Sequence, residues 1–298
     1  MTWNYNIKPI DLDDIVNFDK EKYNSNNHWV DGIRPDDYDQ VLSYSNTDKW
    51  IDLFKTSKKL VIDNPTHLEW IKKASLVCSI TGKFSNLYSD ELEQTCLELS
   101  KQINYTSAFD GTGYFVKVNN VSLKYGVNGS GPYYNIKSII ESIVSSIKGH
   151  TPINRDTEKL NIYLIPWIDI EPVNEFRVFV HNNKITAISQ QDLYSKLFVK
   201  KYPGYNTVQM NGIIIEKLNI IMDYFYQEMI WKINWIPSNS YTFDFAIVNS
   251  QPYLIELNSF GTEYAAGSAL FHWIIDKDIL YNSLDDNDNG VVEFRYTV

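Results

Sequence analysis

Cysteine is nearly absent: among 298 residues only Cys78 and Cys96 occur, too few for a disulfide framework. Both stand among apolar neighbours, so they read as small core residues in a reducing compartment. No run of about 18 apolar residues occurs, so no membrane-spanning helix is expected. The N-terminal stretch MTWNYNIKPIDLDD lacks the basic and apolar regions of a signal peptide, which points to the cytoplasm. Positive charge is also scarce. With 27 Lys and Arg against 37 Asp and Glu, the net charge is −10, which excludes bulk electrostatic binding to nucleic acid. The five histidines (His28, His67, His150, His181 and His272) show no metal-ligand spacing. No nucleophile elbow and no Cys–His pairing stands out either.

What is present is core. Hydrophobic residues make up 44% and aromatic residues 14%, enough for one large domain or two ordinary lobes. Residues 1–48 are polar and broken by Pro9, Gly32 and Pro35, and read as an irregular N-terminal arm. Trp50, Phe54, Leu60 and Ile62 suggest a short amphipathic piece and a strand near Lys59–Asp63. A helix is expected from Asp90, capped by it, with a stripe of Leu92, Cys96, Leu99 and Ile103. Gly113–Val118 reads as a strand. Asn135 caps a helix whose apolar face runs from Ile136 to Ile147 and which Gly149 ends.

From Asn161–Ile165 onward the period becomes two. Glu175–Val180 and Lys184–Gln190 form a hairpin around Asn182-Asn183. A long helix spans about Gly212–Ile233 with Leu218, Ile221, Met222, Phe225 and Ile230 inward. A second hairpin joins Tyr241–Val248 to Tyr253–Asn258. Strands interleaved with helices and closing in antiparallel pairs indicate an α+β fold. The expected divisions are an arm (1–48), an N-terminal lobe (49–160), a C-terminal lobe (161–281) and an acidic tail (282–298).

The second hairpin carries the most chemistry. In TFDFAIV, Phe243, Phe245 and Ile247 share one face and Asp244 lies on the other. In YLIELN, Tyr253, Ile255 and Leu257 share a face opposite Glu256 and Asn258. A loop of odd length around Ser250 would set Asp244 across from Glu256 or Asn258. Carboxylates so close repel one another, and a hard divalent cation with oxygen ligands relieves that repulsion. The plainer reading is a half-exposed sheet with solvent-facing acids. In the first hairpin, pairing across Asn182-Asn183 sets Val178 against Ala187 and Arg177 against Ile188. Glu175, Arg177 and Gln190 then share a face, suited either to phosphate or to a surface ion pair.

Two further features leave two readings open. Lys117, interrupting the apolar YFVKV, either reaches phosphate as a point charge or snorkels to water. The stretch GVNGSGP, Gly126–Pro132, is either a loop over phosphates or a surface turn, and it lacks the Gly-Lys-Ser/Thr ending of a Walker A loop. Asp285, Asn287, Asn289 and Gly290 begin like a calcium-binding EF-hand loop. The twelfth position is Tyr296 rather than Glu, so they read as an acidic surface turn.

The stretches Trp167–Tyr194 and Tyr241–Gly261, with SALFHW at Ser268–Trp273, resemble the cell division cycle protein 123 family. WIDLF, LVIDNP and VKVNN resemble its upstream segments. The resemblance implies an ATP-grasp fold, two α+β lobes holding ATP between them. It implies Lys117 and Arg177 at the phosphates, Ile165–Trp167 as a hinge against adenine, and Asp169 at the ribose. Asp244, Glu256 and Asn258 fall on its metal positions, with Glu256 where Asp is usual, so the implied cofactors are ATP and Mg²⁺. Departures include Leu123 and Tyr125 after the lysine strand, Ser259 for Pro, and Gly267 for an acidic residue. The implied partner is the gamma subunit of translation initiation factor 2, whose assembly the protein would promote. The competing function is an ATP-dependent carboxylate–amine ligase working through an acyl phosphate, toward which a mobile glycine-rich loop would lean.

Overall fold

A computed structural model describes residues 3–103, 109–111, 113–264, 266–282 and 290–298. The chain forms two compact units, one of Met1–Asn46 with Asp169–Val298 and one of Thr47–Ile168. The first begins with strand β1 (Asn4–Ile10), helix α1 (Leu12–Phe18) and the short helix α2 (Tyr38–Ser43). Asp11 caps α1 by accepting from the Asp13 amide.

The second unit opens with α3 (Thr47–Phe54) and β2 (Lys58–Ile62), where apolar spacing places them. Helix α4 (Pro65–Thr81) follows, with textual signals at both ends: Asn64 caps it, Pro65 opens it, and Gly82 closes it at φ 65°. The expected elements omitted this helix. Its exposed Leu76, Val77 and Ile80 blur the 3.6-residue stripe that would have marked it. Helix α5 (Ser89–Ser100) places Asp90 in its first turn rather than at the cap. Strands β3 (Tyr114–Val118) and β4 (Val121–Ser122) precede helix α6 (Ile136–Ser145), capped by Asn135 as expected. That helix stops before Gly149, leaving Ile147 exposed instead of on the apolar face. Strand β5 (Leu160–Pro166) completes a four-stranded sheet in the order β2-β5-β3-β4, with α4, α5 and α6 packed in its core.

The first unit resumes with β6 (Glu175–His181), β7 (Lys184–Gln190) and the short helix α7 (Leu197–Lys201). Helix α8 (Thr207–Tyr224) starts earlier than the periodicity indicates, because Asn206 and Gln209 form a reciprocal capping box. It runs through a π-helical turn at Phe225–Met229 to Lys232. Met229, four residues after Phe225 and so on the same face, is fully buried, whereas Ile230 is not. Strands β8 (Tyr241–Val248) and β9 (Gln251–Asn258), helix α9 (Lys277–Leu280) and strand β10 (Val291–Thr297) complete the unit. Its six-stranded sheet has the order β1-β10-β7-β6-β8-β9.

Both chain ends differ from the sequence expectation. The polar arm contributes β1, and the segment read as an acidic tail contributes β10, which pairs in parallel with β1 and β7. Such pairing joins residues almost 300 positions apart, beyond any local pattern. Asp285, Asn287 and Asn289 of the EF-hand-like turn lie outside the described residues, but Tyr296 is a buried strand residue stacked on Phe294.

Phe294 is fully buried between Phe176 and Phe198. Phe294→Ala is expected to destabilise the protein by about 3–5 kcal/mol, read from urea denaturation. A loss below about 1 kcal/mol would show that β10 is dispensable to this core.

Candidate functional site

Two hairpins build the site, and each combines a tight turn with a bulge. Asn182 and Asn183 have φ of 50° and 60°, and so do Asn249 and Ser250, so both hairpins turn on two left-handed residues. In the first, the register shifts between Phe179 and Val180, leaving Thr186 unpaired in the ladder. Arg177 therefore faces Ser189 rather than Ile188, and Val178 faces Ile188 rather than Ala187. Gln190 falls opposite Phe176, off Arg177's face, where its amide serves the backbone of Asp192 and Ser195. In the second hairpin the loop is even, not odd. A shift between Asp244 and Phe245 skips Ile255 and sets Asp244 against Glu256. The same shift turns Leu254, in place of Ile255, into the core with Leu257.

Strand β6 also pairs with β8, and Arg177 faces Asp244. Arg177, Asp244 and Glu256 thus form one row across three adjacent strands, with Asn258 two pairs further along on the same face, opposite Thr242. Beneath the row Phe243 and Phe245 pack against Phe225 and Tyr224 of the long helix, so the strands are held from the other face.

Within the row the contacts are tight. Arg177 Nε donates to Asp244 Oδ1 and Nη2 to Oδ2, both at 2.8 Å, while Nη1 donates to the Gly267 carbonyl at 2.6 Å. Gln191 Nε2 adds a longer bond of 3.2 Å to Asp244 Oδ2. The two charged side chains are 13% and 5% exposed, so the fork is almost dry. Burial pushes the Asp244 carboxyl above the usual range, Arg177 pulls against that rise, and the neighbouring Glu256 adds to it. Burial also opposes the Arg177 charge, but Asp244, Glu256 and Glu175 outweigh it and hold the guanidinium protonated.

Gln191 was not anticipated, and Gly267 only as a departure from the family pattern. Gln191 reaches the site only because of the bulge at Thr186. Gly267 is a matter of space: a Cβ there would stand 3.2 Å from Arg177 Nη1 and 3.5 Å from Asn26 Oδ1. The N-terminal arm braces this loop. Asn24 N donates to the Ala269 carbonyl, Ser268 N to the Ser25 carbonyl, and Ser25 N to Ser268 Oγ. Ser25 Oγ in turn accepts from Trp273 N.

The remaining candidates are distributed over both units. Lys117 is buried in β3 with its ammonium 5.6 Å from the centre of the Trp50 ring, so it does not snorkel to water. Ile165 is buried in β5, and the Trp167 amide donates to the Gly113 carbonyl. Asp169 is exposed at the start of the other unit's second segment. The glycine-rich stretch is strapped to its own helix. Val127 N donates to Ser145 Oγ, Asn128 N to Ser142 Oγ, and Asn128 Nδ2 to the Ser138 carbonyl. Gly126 lies so close to α6 that a Cβ would fall 2.5 Å from the Ser142 carbonyl. The reading of a loose cover over phosphates therefore loses its support at Gly126–Asn128.

Two carboxylates and an amide on one sheet face are a hard-oxygen set of the kind Mg²⁺ takes. Buried polar atoms border the set: Gln191 Oε1 and Asn258 Nδ2 have no hydrogen-bond partner among the described residues. The donor chemistry fits a divalent cation on one condition, that Arg177 releases Asp244. Among the described residues no three His, Cys, Asp or Glu side chains are grouped to hold a metal.

The D123 family model matches residues 136–297, which include both hairpins and β10. A curated relative from Xenopus laevis, a translation initiation factor eIF2 assembly protein, is 30% identical over 146 residues. That alignment covers 47% of this chain but only 38% of the relative's length. Cdc123 from Schizosaccharomyces pombe aligns over 87% of this chain and 97% of its own, with a TM-score of 0.55 and 18% identity. Its C-terminally truncated form gives 86% and 96% coverage, a TM-score of 0.55 and 17% identity. The fold is accordingly the α+β fold shared with Cdc123. The family model spans more than half of the chain, and the chain belongs to the D123 family, that of cell division cycle protein 123.

Proposed function

We propose that this protein binds ATP with Mg²⁺ and promotes assembly of translation initiation factor 2 by acting on its gamma subunit. Family membership and the eIF2 assembly relative support the partner. The row Arg177–Asp244–Glu256, with Asn258 beside it, is the single observation that carries the cofactor reading. Arg177 acts as a resident cation that neutralises Asp244. Its planar fork suits phosphate oxygens as well as a carboxylate, so it exchanges one anion for the other. Asp244, Glu256 and Asn258 then offer oxygens to the cation. Bound Mg²⁺ would neutralise triphosphate charge. Lys117 supplies a further phosphate contact, Ile165 and Trp167 flank adenine, and Asp169 meets the ribose. The strapped glycine-rich stretch removes the one feature that leaned toward a ligase.

Three outcomes test this reading. In calorimetric titrations of ATP with and without Mg²⁺, Glu256→Ala should lose the metal-dependent gain in affinity, by about tenfold or more. An unchanged gain would remove Glu256 from the site. Arg177→Gln leaves Asp244 buried without its counter-charge and should lower stability by about 3–5 kcal/mol. Added Mg²⁺ should raise its Tm more than that of the wild type, and equal shifts would contradict the exchange. Finally, the purified gamma subunit should form a stable complex with the protein in ATP and Mg²⁺, with little turnover. ADP release that depends on an added carboxylate and amine, without such a complex, would instead establish the ligase.

A further inference from the structure

Residues 24–38 of the N-terminal arm are fastened by hydrogen bonds to segments 262–264 and 266–276 of the same compact unit. Asn24 N donates to the Ala269 carbonyl at 2.7 Å and His28 N to the Thr262 carbonyl at 2.9 Å. In the other direction Ser268 N donates to the Ser25 carbonyl at 3.0 Å. Side chains add to the seam. The Trp29 indole donates to the Glu263 carbonyl, the Tyr264 hydroxyl donates to Asp37, and Tyr38 stacks on Tyr264. The same facing segment carries the Gly267 carbonyl that holds Arg177. Docking of the arm therefore bears on the charged row.

Two histidines meet in this seam. The ring centres of His28 and His272 stand 5.1 Å apart, with the planes tilted by 44°. His272 is 6% exposed, and its Nδ1 accepts from the Ile274 and Ile275 amides, both at 3.2 Å. The proton of its neutral ring is accordingly on Nε2. His28 is placed differently. Its Nε2 is buried and has no hydrogen-bond partner among the described residues. A neutral imidazole tolerates this by carrying its proton on Nδ1 and leaving only a lone pair at Nε2. An imidazolium has no such choice, because both nitrogens then bear protons. Charging His28 in place puts a buried N–H where no acceptor stands among the described residues, beside a second imidazole.

No carboxylate offsets that charge, since none bonds the His28 ring among the described residues. On the arm, Arg34 pairs with Asp39, and Asp37 is engaged by Tyr264. On the facing segment, Glu263 meets the arm through its backbone carbonyl, and Arg295 takes both oxygens of Asp276. Burial holds the His28 imidazole below its ordinary value of 6.5, and the neighbouring His272 pushes the same way. Once the arm lifts off, the ring is solvated and recovers its ordinary affinity for a proton. The released arm then binds a proton that the docked arm refuses. Docking is therefore undiminished above about pH 6.5 and is lost as the pH falls below it.

We propose that His28 makes the docking of the N-terminal arm an acid-sensitive latch, closed at neutral pH and opened when that ring is protonated. The latch stands whether or not the protein binds ATP. Hydrogen exchange of the full chain, read by mass spectrometry and corrected for the intrinsic rate at each pH, tests it. Between about pH 7.5 and about pH 5.5, the segments bearing the Asn24, His28 and Ser268 amides should lose protection about tenfold or more. Strands β6 and β8 should keep theirs. His28→Phe keeps a ring in the seam and removes the titrating group, so its protection should change by less than about twofold. Wild-type protection that stays the same at both pH values would overturn the proposal without recourse to a variant. So would an equal loss in His28→Phe or, should that variant not fold, in His28→Gln. A loss shared by β6 and β8 would mark general acid unfolding and overturn it as well.

Discussion

A guanidinium and a carboxylate, locked face to face by two parallel hydrogen bonds in a nearly dry setting, organise the region around them. Arg177 and Asp244 meet because β6 and β8 are paired in the register that sets them opposite. The pair is fixed by backbone geometry before side-chain choice enters. Buried charges of this kind are costly unless each is matched, so the sheet's register and the site's electrostatics constrain one another. A one-residue slip of β8 would turn Asp244 under the long helix, bring Phe243 and Phe245 out onto the polar face and leave Arg177 without its partner.

A second buried arginine repeats the arrangement along the same sheet. Arg295 of β10 binds both oxygens of Asp276 at 2.9 and 2.6 Å, bonds Glu293 at 2.8 Å, and lies 4.1 Å from the centre of the Phe271 ring. Its Nη1 also donates to the Leu270 carbonyl, as Arg177 does to Gly267. The segment from Gly267 to Asp276 is therefore held by two arginines from different strands and by Ser25 from the N-terminal arm. This bracing explains why the two chain ends matter to a site whose own residues lie in the middle of the sequence. It also gives small residues their places, since Gly267 leaves the room that the Arg177 fork occupies.

The opposite face is built differently. Phe225, Phe243, Phe245 and Tyr241 pack ring against ring on the helix-covered side, and Met229, one turn on from Phe225, is buried as well. Apolar packing there and charged pairing on the other face divide the sheet into a supporting side and a chemical side.

Much of this could be read from residue order alone: the two hairpins, their Asn-rich turns, the cap at Asn135, and Asp244 with Glu256 and Asn258 on one face. Alternation and turn chemistry are local, so they survive without the fold. What the folded molecule alone decided is how those pieces meet. Bulges at Thr186 and Ile255 reset both registers, exchanging Gln190 for Gln191 near the carboxylate and supplying the odd count that the turn did not. Parallel pairing of β1 with β10 turned an arm and a tail into strands of one sheet. The engagement of Asp244 by Arg177 likewise depends on two hairpins lying side by side. Each of these is a contact between segments distant along the chain, and no pattern within either segment encodes its partner's register.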